Sequence, residues 1–247
     1  MSDKTISVHL LPVLTSPEHL AGKAVVVIDV LRATTTIIHA LAAGATMVVP
    51  CQEIAEAKEK RQLAGEGLLG GERGGVRIEG FDCGNSPVEY TRERVSGKPV
   101  FFTTTNGTKA MLRCRLAKKI LMGAFVNLSA VCHELAGEPA VEIVCAGTDG
   151  EVTREDVLVA GAIADELCKN AGSSWKLNDQ ADIAMDAWRL LVRNLSERGP
   201  LSQAMRESRG GRNLIDLGQQ DDIDVAAQID KFTIAPQLDV KHWWIKA

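Results

Sequence analysis

Ala24-Val25-Val26-Val27-Ile28, followed by Asp29, is the stretch that decides the fold. An unbroken run rich in β-branched residues is typical of a strand covered on both faces, as in a parallel α/β sheet. Ligands of such sheets bind beyond the carboxyl ends of the strands. The sequence therefore predicts a polar pocket after this strand, built from Asp29, Arg32, Thr34 and Thr35.

Two further apolar stretches end in small, polar turns. Val100-Phe101-Phe102 precedes Thr104, Thr105, Asn106, Gly107 and Thr108, and Val141 to Val144 precedes Cys145-Ala146-Gly147. Backbone N–H groups in turns between a strand and a helix can bind an anion such as phosphate. The three turns together predict one shared anion site, although each residue type is also an ordinary helix cap or turn former.

Asp29 is the strongest candidate for a functional side chain. A carboxylate that ends so apolar a strand needs a hydrogen bond, a cation or a metal to offset its desolvation. The other candidates are weaker, because His39 and His133 lie within helical patterns and Cys145 has no base next to it in the sequence. We expect these three residues to have packing or surface roles.

Composition excludes several classes of protein. The 247 residues carry a formal net charge of −4, and their Lys and Arg are scattered, so no basic stripe for nucleic acid is present. No signal-peptide core or membrane-length apolar run occurs, which predicts a cytoplasmic protein without a membrane partner. Six cysteines without a CxxC pair indicate reduced thiols rather than a zinc knuckle or a disulfide framework.

Strand-like and helix-like segments alternate along the chain, which predicts a layered α/β fold with a largely parallel or mixed sheet. Strands are expected at 7–11, 24–28, 47–49, 100–102, 120–122 and 141–144, and helices at 35–43, 54–63, 109–116, 127–136, 154–170 and 179–206, the last broken at Gly199-Pro200. We expect one domain over residues 1–247, or two closely packed α/β lobes with a boundary near 120–140. The acidic tail around Asp221 and Asp222 indicates a solvated surface.

The middle of the chain is dense in glycine. Residues 70–77 and 80–87 carry Glu72, Arg73, Asn85 and Ser86 among their glycines. Glycine lets the backbone approach a ligand closely, and the absence of GK[ST] and of GxGxxG excludes a P-loop and a dinucleotide fingerprint. A mobile surface loop is the alternative interpretation of this stretch.

Four motifs in order resemble the 2-phosphosulfolactate phosphatase family. They are DVLRATTTI from Asp29, GGERGGVRIEGFDCGNSP from Gly70, TTTNGTKAM from Thr103, and CAGTDG from Cys145 with Glu155-Asp156 after it. The resemblance covers most of the chain and implies a compact three-layer α/β/α fold. That fold differs from the common aspartate-nucleophile phosphatases, whose DxDxT signature is absent here because Val30-Leu31-Arg32 follows Asp29.

The resemblance implies a Mg²⁺-dependent hydrolysis of 2-phosphosulfolactate to 3-sulfolactate and phosphate, a reaction of the coenzyme M biosynthesis type. Asp29, Arg32 and Glu72 would then be catalytic, and Asp29, Glu72 and Asp156 would hold the metal, since Mg²⁺ prefers carboxylates and retains waters. The substrate, a small phosphorylated and sulfonated acid, would contact Arg32, Thr34, Thr35, Arg73, Asn85, Ser86, Thr104, Thr105, Asn106, Gly107, Thr108 and Gly147.

Two other functions stay open at this point. One is a phosphatase for another small 2-phospho-acid, and the other is a non-catalytic protein that binds a phosphorylated metabolite with the same turns. The sequence also leaves open a homo-oligomer, and it does not decide between direct attack by a metal-bound water, which we favour, and an aspartyl-phosphate on Asp29.

Overall fold

The computed structural model of the chain describes residues 4–170, 175–195 and 199–247. Residues 196–198, within the helical stretch predicted over 179–206, lie outside the described residues. The strands are β1 Lys4–His9, β2 Ala24–Ile28, β3 Met47–Pro50, β4 Leu68–Arg73, β5 Val76–Arg77, β6 Pro99–Thr103, β7 Lys119–Gly123, β8 Ala140–Cys145, β9 Trp175–Leu177, β10 Gln237–Asp239 and β11 Trp244–Lys246.

Helices connect most of these strands. Their bounds are α1 Pro17–Leu20, α2 Ala33–Ala42, α3 Ile54–Ala64, α4 Arg92–Val95, α5 Gly107–Arg113, α6 Leu128–Leu135, α7 Arg154–Asn170, α8 Asp179–Arg193, α9 Leu201–Arg206, α10 Arg209–Asp216 and α11 Asp221–Ala226. The predicted α/β class and its mixed, largely parallel sheet are confirmed. Among the described helices, none combines the length and the apolar character that crossing a membrane requires.

One open sheet holds all the strands above, in the order β5-β4-β6-β3-β11-β10-β7-β2-β8-β1-β9. β4, β6 and β3 form one parallel block, and β7, β2, β8, β1 and β9 form another. The antiparallel hairpin β10–β11 joins them, because β11 pairs with β3 and β10 pairs with β7. Three antiparallel steps in a row mean that the two parallel blocks run in opposite directions.

The opposed blocks nevertheless bring the carboxyl ends of their strands to one place. Asp29 follows β2, and a Cβ placed on Gly107, which begins the helix after β6, would lie 2.8 Å from Asp29 Oδ2. In a flat sheet, the carboxyl ends of two blocks that run in opposite directions would point to opposite sides, a strand length apart. The sheet must therefore curl strongly between the blocks. The curl is what gathers the three predicted polar turns.

β2 lies at the centre of the larger block, as its composition predicts. All five of its residues are buried, which means that helices cover both of its faces. The core extends from Ile6 on β1 to Ile245 on β11 as one cluster, and a smaller cluster around Phe101 lies under α3. Asp29 therefore follows a strand that has little freedom to move.

The glycine-dense middle is partly a strand, so the alternative interpretation as a surface loop does not hold for residues 70–73. Gly70 and Gly71 belong to β4, and Gly74-Gly75 form the two-residue turn between β4 and β5. Both turn glycines have positive φ, 59° and 79°, as a type I′ hairpin turn requires. This hairpin brings Glu72 to the carboxyl end of β4.

Candidate active site

A cavity of about 320 Å³ lies where the polar turns meet. β2, β4, β6 and β8 contribute the segments at their carboxyl ends, and α10 forms the opposite wall. The lining residues are Asp29, Leu31, Arg32, Glu72, Gly74, Gly75, Asn85, Thr105, Asn106, Thr148, Asp149, Gly210, Asn213, Leu214, Asp216 and Leu217. The prediction of one shared site thus corresponds to one cavity with residues from all three turns.

Asp29 lies at the base of this cavity and is 8% exposed. Its Oδ1 accepts a hydrogen bond from the N–H of Ala33, 3.2 Å away, and its Oδ2 faces Gly107. Burial raises the pKa of Asp29 to about 7, and the negative charges of Glu72 and Glu155 act in the same direction. An anion at this position therefore needs a cation close by.

Glu72 joins two of the turns. Its Oε2 accepts a 2.7 Å hydrogen bond from the N–H of Gly75, and its Oε1 accepts one of 2.7 Å from the N–H of Thr105. The side chain is 6% exposed and lines the cavity. Glu72 Oε2 also accepts a 3.2 Å hydrogen bond from Thr105 Oγ1, so the hairpin after β4 and the turn after β6 are fastened to one carboxylate.

Arg32 is the one basic side chain among the cavity-lining residues. Its Nη1 donates to Asp222 Oδ2 at 2.7 Å and to Gln219 Oε1 at 2.5 Å, and its Nη2 donates to the carbonyl of Gly75 at 2.9 Å. Three of its five N–H groups are committed in this way. The remaining two, including Nε–H, have no partner among the described residues and can bind an anion.

The adjacent carboxylates Glu155 and Asp156 differ in what they bind. Asp156 accepts hydrogen bonds from the N–H groups of Val30 at 2.9 Å and Gly147 at 3.0 Å, which ties the end of β2 to the end of β8. It does not line the cavity. Glu155 Oε2, in contrast, is buried without a hydrogen-bond partner in the described chain. Burial raises the pKa of both groups.

Four of the predicted hydroxyl donors hold the turns together in this structure, and their contact with substrate stays a prediction. Thr34 Oγ1 lies 2.8 Å from the carbonyl of Gly123 and 2.9 Å from that of Asp29, while Thr35 donates to the carbonyl of Val30. Thr104 and Thr108 hydrogen-bond each other across the start of α5. None of these four threonines lines the cavity, and all are buried.

Arg73 and Ser86 also lie outside the cavity lining. The Arg73 guanidinium donates to the carbonyls of Glu72 and Gln52 and to Thr103 Oγ1, at 2.8 to 2.9 Å. Ser86 Oγ donates to Asp222 Oδ1 at 2.6 Å. Both side chains lie outside the cavity lining and are held by the protein, and their contact with substrate stays a prediction.

Other predicted contacts do face the cavity. Thr105, Asn106 and Asn85 line it, and Asn85 Oδ1 is buried without a partner among the described residues. Gly147 and Gly107 lie just behind it: the N–H of Gly147 is used by Asp156, and Gly107 packs against Asp29. Asn85 is therefore the neutral side chain with the clearest unmet need for a ligand.

The sequence pattern missed the contribution of the tail. Asp222 is 3% exposed and pairs with Arg32, although the acidic run indicated a solvated surface. Asp216 and Asn213 line the cavity from α10. An acidic residue beside Ile223, within an apolar spacing, was the available signal, but its partner lies 190 residues away in the chain.

The alternative nucleophile and base have unsuitable surroundings. Burial raises the pKa of the Cys145 thiol well above its ordinary value, so the thiolate is strongly disfavoured. His39 lies outside the cavity lining, packs edge-on against Phe232, and has its pKa lowered to about 4 by burial. The expectation that both residues serve packing agrees with these surroundings.

The carboxylates of the cavity suit a divalent cation of the Mg²⁺ type better than a closed metal cage. Asp29, Glu72 and Asp156 do not bring three ligand atoms within 4.8 Å of one another. Mg²⁺ is commonly held by one or two carboxylates together with waters and substrate phosphate. Asp29 and Glu72, which both line the cavity, fit that pattern.

Among the described residues, a compact trio of candidate ligands lies outside the cavity lining, at His9, His19 and Glu142. Lys23 already supplies the cation there, with its Nζ 2.7 Å from Glu142 Oε1 and 3.2 Å from His19 Nε2. His9 Nε2 lies 2.7 Å from Glu142 Oε2. We therefore interpret this group as an ion-pair network in which Glu142 and His9 are buried and His19 is exposed.

Comparison with known proteins identifies a family that the chain matches over most of its length. Residues 10–241 match the family model described as 2-phosphosulpholactate phosphatase. A protein of Symbiobacterium thermophilum named "Probable 2-phosphosulfolactate phosphatase" is 44% identical over 225 residues, which are 89% of this chain and 92% of that protein. Proteins of the same name from Pseudothermotoga lettingae, 42% identical over 94% of both chains, and Thermotoga maritima, 41% identical over 87% of this chain and 89% of that one, also match.

Proposed function

The chain belongs to the 2-phosphosulfolactate phosphatase family, and from this premise we propose that it hydrolyses 2-phosphosulfolactate to 3-sulfolactate and phosphate, a reaction of the coenzyme M biosynthesis type. The observation that carries the proposal is the cavity in which the buried carboxylates Asp29 and Glu72 share the lining with the anion-binding side of Arg32. Carboxylates and a guanidinium together can bind a phosphoryl group and its cation.

The proposed cofactor is Mg²⁺, held by Asp29 and Glu72. When bound, it would supply positive charge to the phosphoryl oxygens and to the departing hydroxy-acid oxygen. The cation would also offset the repulsion between carboxylates that raises the pKa of Asp29. Asp156 is left out of this ligand set because, unlike Asp29 and Glu72, it does not line the cavity.

The chain's own donors would orient the substrate. Arg32 offers two uncommitted N–H groups, which suit two oxygens of a phosphoryl, carboxylate or sulfonate group. Asn85, Thr105 and Asn106 offer neutral polar groups around it. The substrate's three anionic groups would meet a largely acidic lining, so we propose that they enter together with the cation. We favour a water molecule, rather than Asp29, as the group that attacks phosphorus.

A substrate panel tests the proposed activity. Phosphate release would be measured from 2-phosphosulfolactate, from 2-phospholactate and from other phosphorylated hydroxy acids, each with and without Mg²⁺. The proposal expects the highest kcat/KM with the sulfonated substrate. A higher kcat/KM with another 2-phospho-acid would reassign the substrate, and tight binding without phosphate release would favour a non-catalytic anion-binding protein.

Removal of the metal gives a separate prediction. Exhaustive treatment with a chelator should abolish turnover, because phosphoryl charge and two carboxylates cannot share the cavity without a cation. Activity should return on addition of Mg²⁺ and also of Mn²⁺, which accepts the same oxygen ligands. Full activity in the chelated protein would contradict the metal proposal and would favour an aspartyl-phosphate on Asp29.

A further inference from the structure

A buried ion pair lies behind the cavity and joins Arg32 to the tail of the chain. Arg32 Nη1 and Asp222 Oδ2 are 2.7 Å apart, and each residue is 3% exposed. Arg32 follows β2, whereas Asp222 lies on α11. Asp222 itself does not line the cavity, so its contact with the guanidinium lies outside the cavity lining.

The Asp222 carboxylate is itself held in place. Its Oδ1 accepts a 2.6 Å hydrogen bond from Ser86 Oγ, and its backbone N–H donates to the carbonyl of Gln219. Gln219 Oε1 accepts from the same Nη1 of Arg32. Both Nη1 hydrogens are therefore directed away from the cavity, toward Asp222 Oδ2 and Gln219 Oε1. Asp222 is held in turn by its own segment, through Gln219, and by Ser86 of a separate segment.

This arrangement leaves Arg32 only one way to face a ligand. The Gly75 carbonyl takes one hydrogen of Nη2, so the free donors are Nε–H and the other Nη2–H. An arginine side chain that is free to rotate loses conformational entropy when it binds an anion, and holding it beforehand removes that loss. A partner that only neutralised charge would not need Ser86 and Gln219 beside it.

We infer that Asp222 is a positioning residue, which holds Arg32 so that its free N–H groups point at a substrate oxyanion. The inference rests on the proposed function in taking the ligand of Arg32 to be a phosphoryl, carboxylate or sulfonate group. Asp222 then acts on the substrate only through Arg32, and α11 belongs to the machinery that sets substrate affinity.

A double-mutant cycle on the full chain tests this inference, with inorganic phosphate as the probe. The dissociation constant for phosphate would be measured by calorimetry in the presence of Mg²⁺ for the wild type, Asp222→Asn, Arg32→Lys and the double variant. We expect Asp222→Asn to weaken phosphate binding about tenfold. In the Arg32→Lys background the same change should alter binding by less than about twofold, because the guanidinium that Asp222 positions is absent.

Two further variants separate positioning from folding. Asp224→Asn changes an exposed carboxylate on the same helix, which pairs with Arg206, and should leave phosphate affinity unchanged. Ser86→Ala leaves both charges in place but releases Asp222 Oδ1, so it should weaken binding in the same direction by a smaller factor. Melting temperatures measured on the same preparations report the structural cost of each change.

The results that would overturn the positioning role of Asp222 differ from those that would overturn the phosphatase proposal. Equal losses from Asp222→Asn in both backgrounds, or a lowered melting temperature with unchanged phosphate affinity, would overturn the inference and leave Asp222 as a structural ion pair. Wild-type protein that binds no phosphate would overturn it as well. Failure of the phosphatase proposal looks different, since it appears as absent turnover while the affinity cycle still gives coupling between Asp222 and Arg32.

Discussion

The charge state of Asp29 links its burial to its chemistry. Burial raises the pKa of this carboxyl from 3.8 to about 7. Below pH 3.8 the group is protonated in both the folded and unfolded states and costs nothing. As the pH rises to about 7 the unfolded chain loses the proton first, so the fold loses stability, and above about 7 the loss is constant. A bound cation would reverse this loss.

Asp29→Asn should separate catalysis from stability. We expect turnover to fall at least about a thousandfold, a barrier increase near 4 kcal/mol, because the metal loses a charged ligand. The metal-free variant should be as stable as the wild type or more stable above pH 7, since it carries no buried anion. Asp186→Asn on the exposed face of α8 is the control for both measurements.

Measurement of turnover and melting temperature on one preparation, at pH 5 and pH 8, checks this prediction. The stability advantage of the Asn variant should be larger at pH 8, and added Mg²⁺ should raise the melting temperature of the wild type only. A variant that is destabilised at both pH values and still turns over would make Asp29 a structural residue.

Arg73→Lys is expected to affect stability more than activity. Lysine cannot reach the carbonyls of Gln52 and Glu72 and Thr103 Oγ1 together, so the free energy of unfolding should fall by about 1 kcal/mol. Because Arg73 does not line the cavity, kcat/KM should stay within about threefold, whereas Arg32→Lys should lower it at least about tenfold. A large loss of kcat/KM in Arg73→Lys without loss of stability would support the prediction that Arg73 contacts the substrate.

At the residue scale, sequence predicted the chemistry that follows the strands and missed what depends on distant partners. Asp29, Glu72 and Arg32 stood out as charges beside apolar or glycine-rich stretches, and all three line the cavity. The burial of Asp222 and the internal contacts of Arg73 were missed, because each side chain is held by residues remote in sequence: Arg32 and Ser86 for Asp222, and Thr103 for Arg73. Composition and local spacing do not identify partners that lie so far apart in the sequence.

At the scale of elements, local pattern was most reliable where burial is complete. β2 and α7 have the predicted bounds because an apolar run and a 3.6-residue period are unambiguous over those lengths. β4 was missed because Gly70 and Gly71 have low strand propensity. They are nevertheless needed there: a Cβ on Gly70 would lie against the Tyr90 hydroxyl and one on Gly71 against the Thr103 carbonyl.

Gly107→Ala tests how closely the helix after β6 must approach Asp29. The new methyl carbon would lie 2.7 Å from the Cβ of Ala33 and 2.8 Å from Asp29 Oδ2, both closer than packing allows. We expect a loss of about 1–3 kcal/mol in the free energy of unfolding, together with reduced turnover as α5 moves away from the cavity. Chemical denaturation and steady-state kinetics measure the two effects.

Gly137→Ala provides a matched control, since nothing lies within 4 Å of the added Cβ and the backbone is not in the left-handed region. Its stability should change by no more than about 0.5 kcal/mol. If both alanine variants behave alike, the contact between α5 and Asp29 is not a constraint on the site.

At the scale of the whole molecule, strand direction decides where the site forms. The sequence predicts that parallel strands end in polar turns, but neither apolar runs nor turn residues specify that two parallel blocks run in opposite directions. That reversal depends on the hairpin of residues 237–246, whose strands of three residues each are too short for a clear pattern. The curl that follows brings Glu72 and Thr105 from one block to Asp29 of the other.

The hairpin should therefore contribute far more stability than its length suggests. Ile245 is fully buried and pairs with Val48 of one block, while its neighbour Leu238 pairs with Ile120 of the other. Ile245→Ala should lower the free energy of unfolding by about 2–5 kcal/mol, as expected for a cavity in a packed core. Gln237→Ala, an exposed change on the same hairpin, should cost no more than about 0.5 kcal/mol. Denaturant unfolding of both variants checks this, and equal small effects would mean that the two blocks hold together without the hairpin.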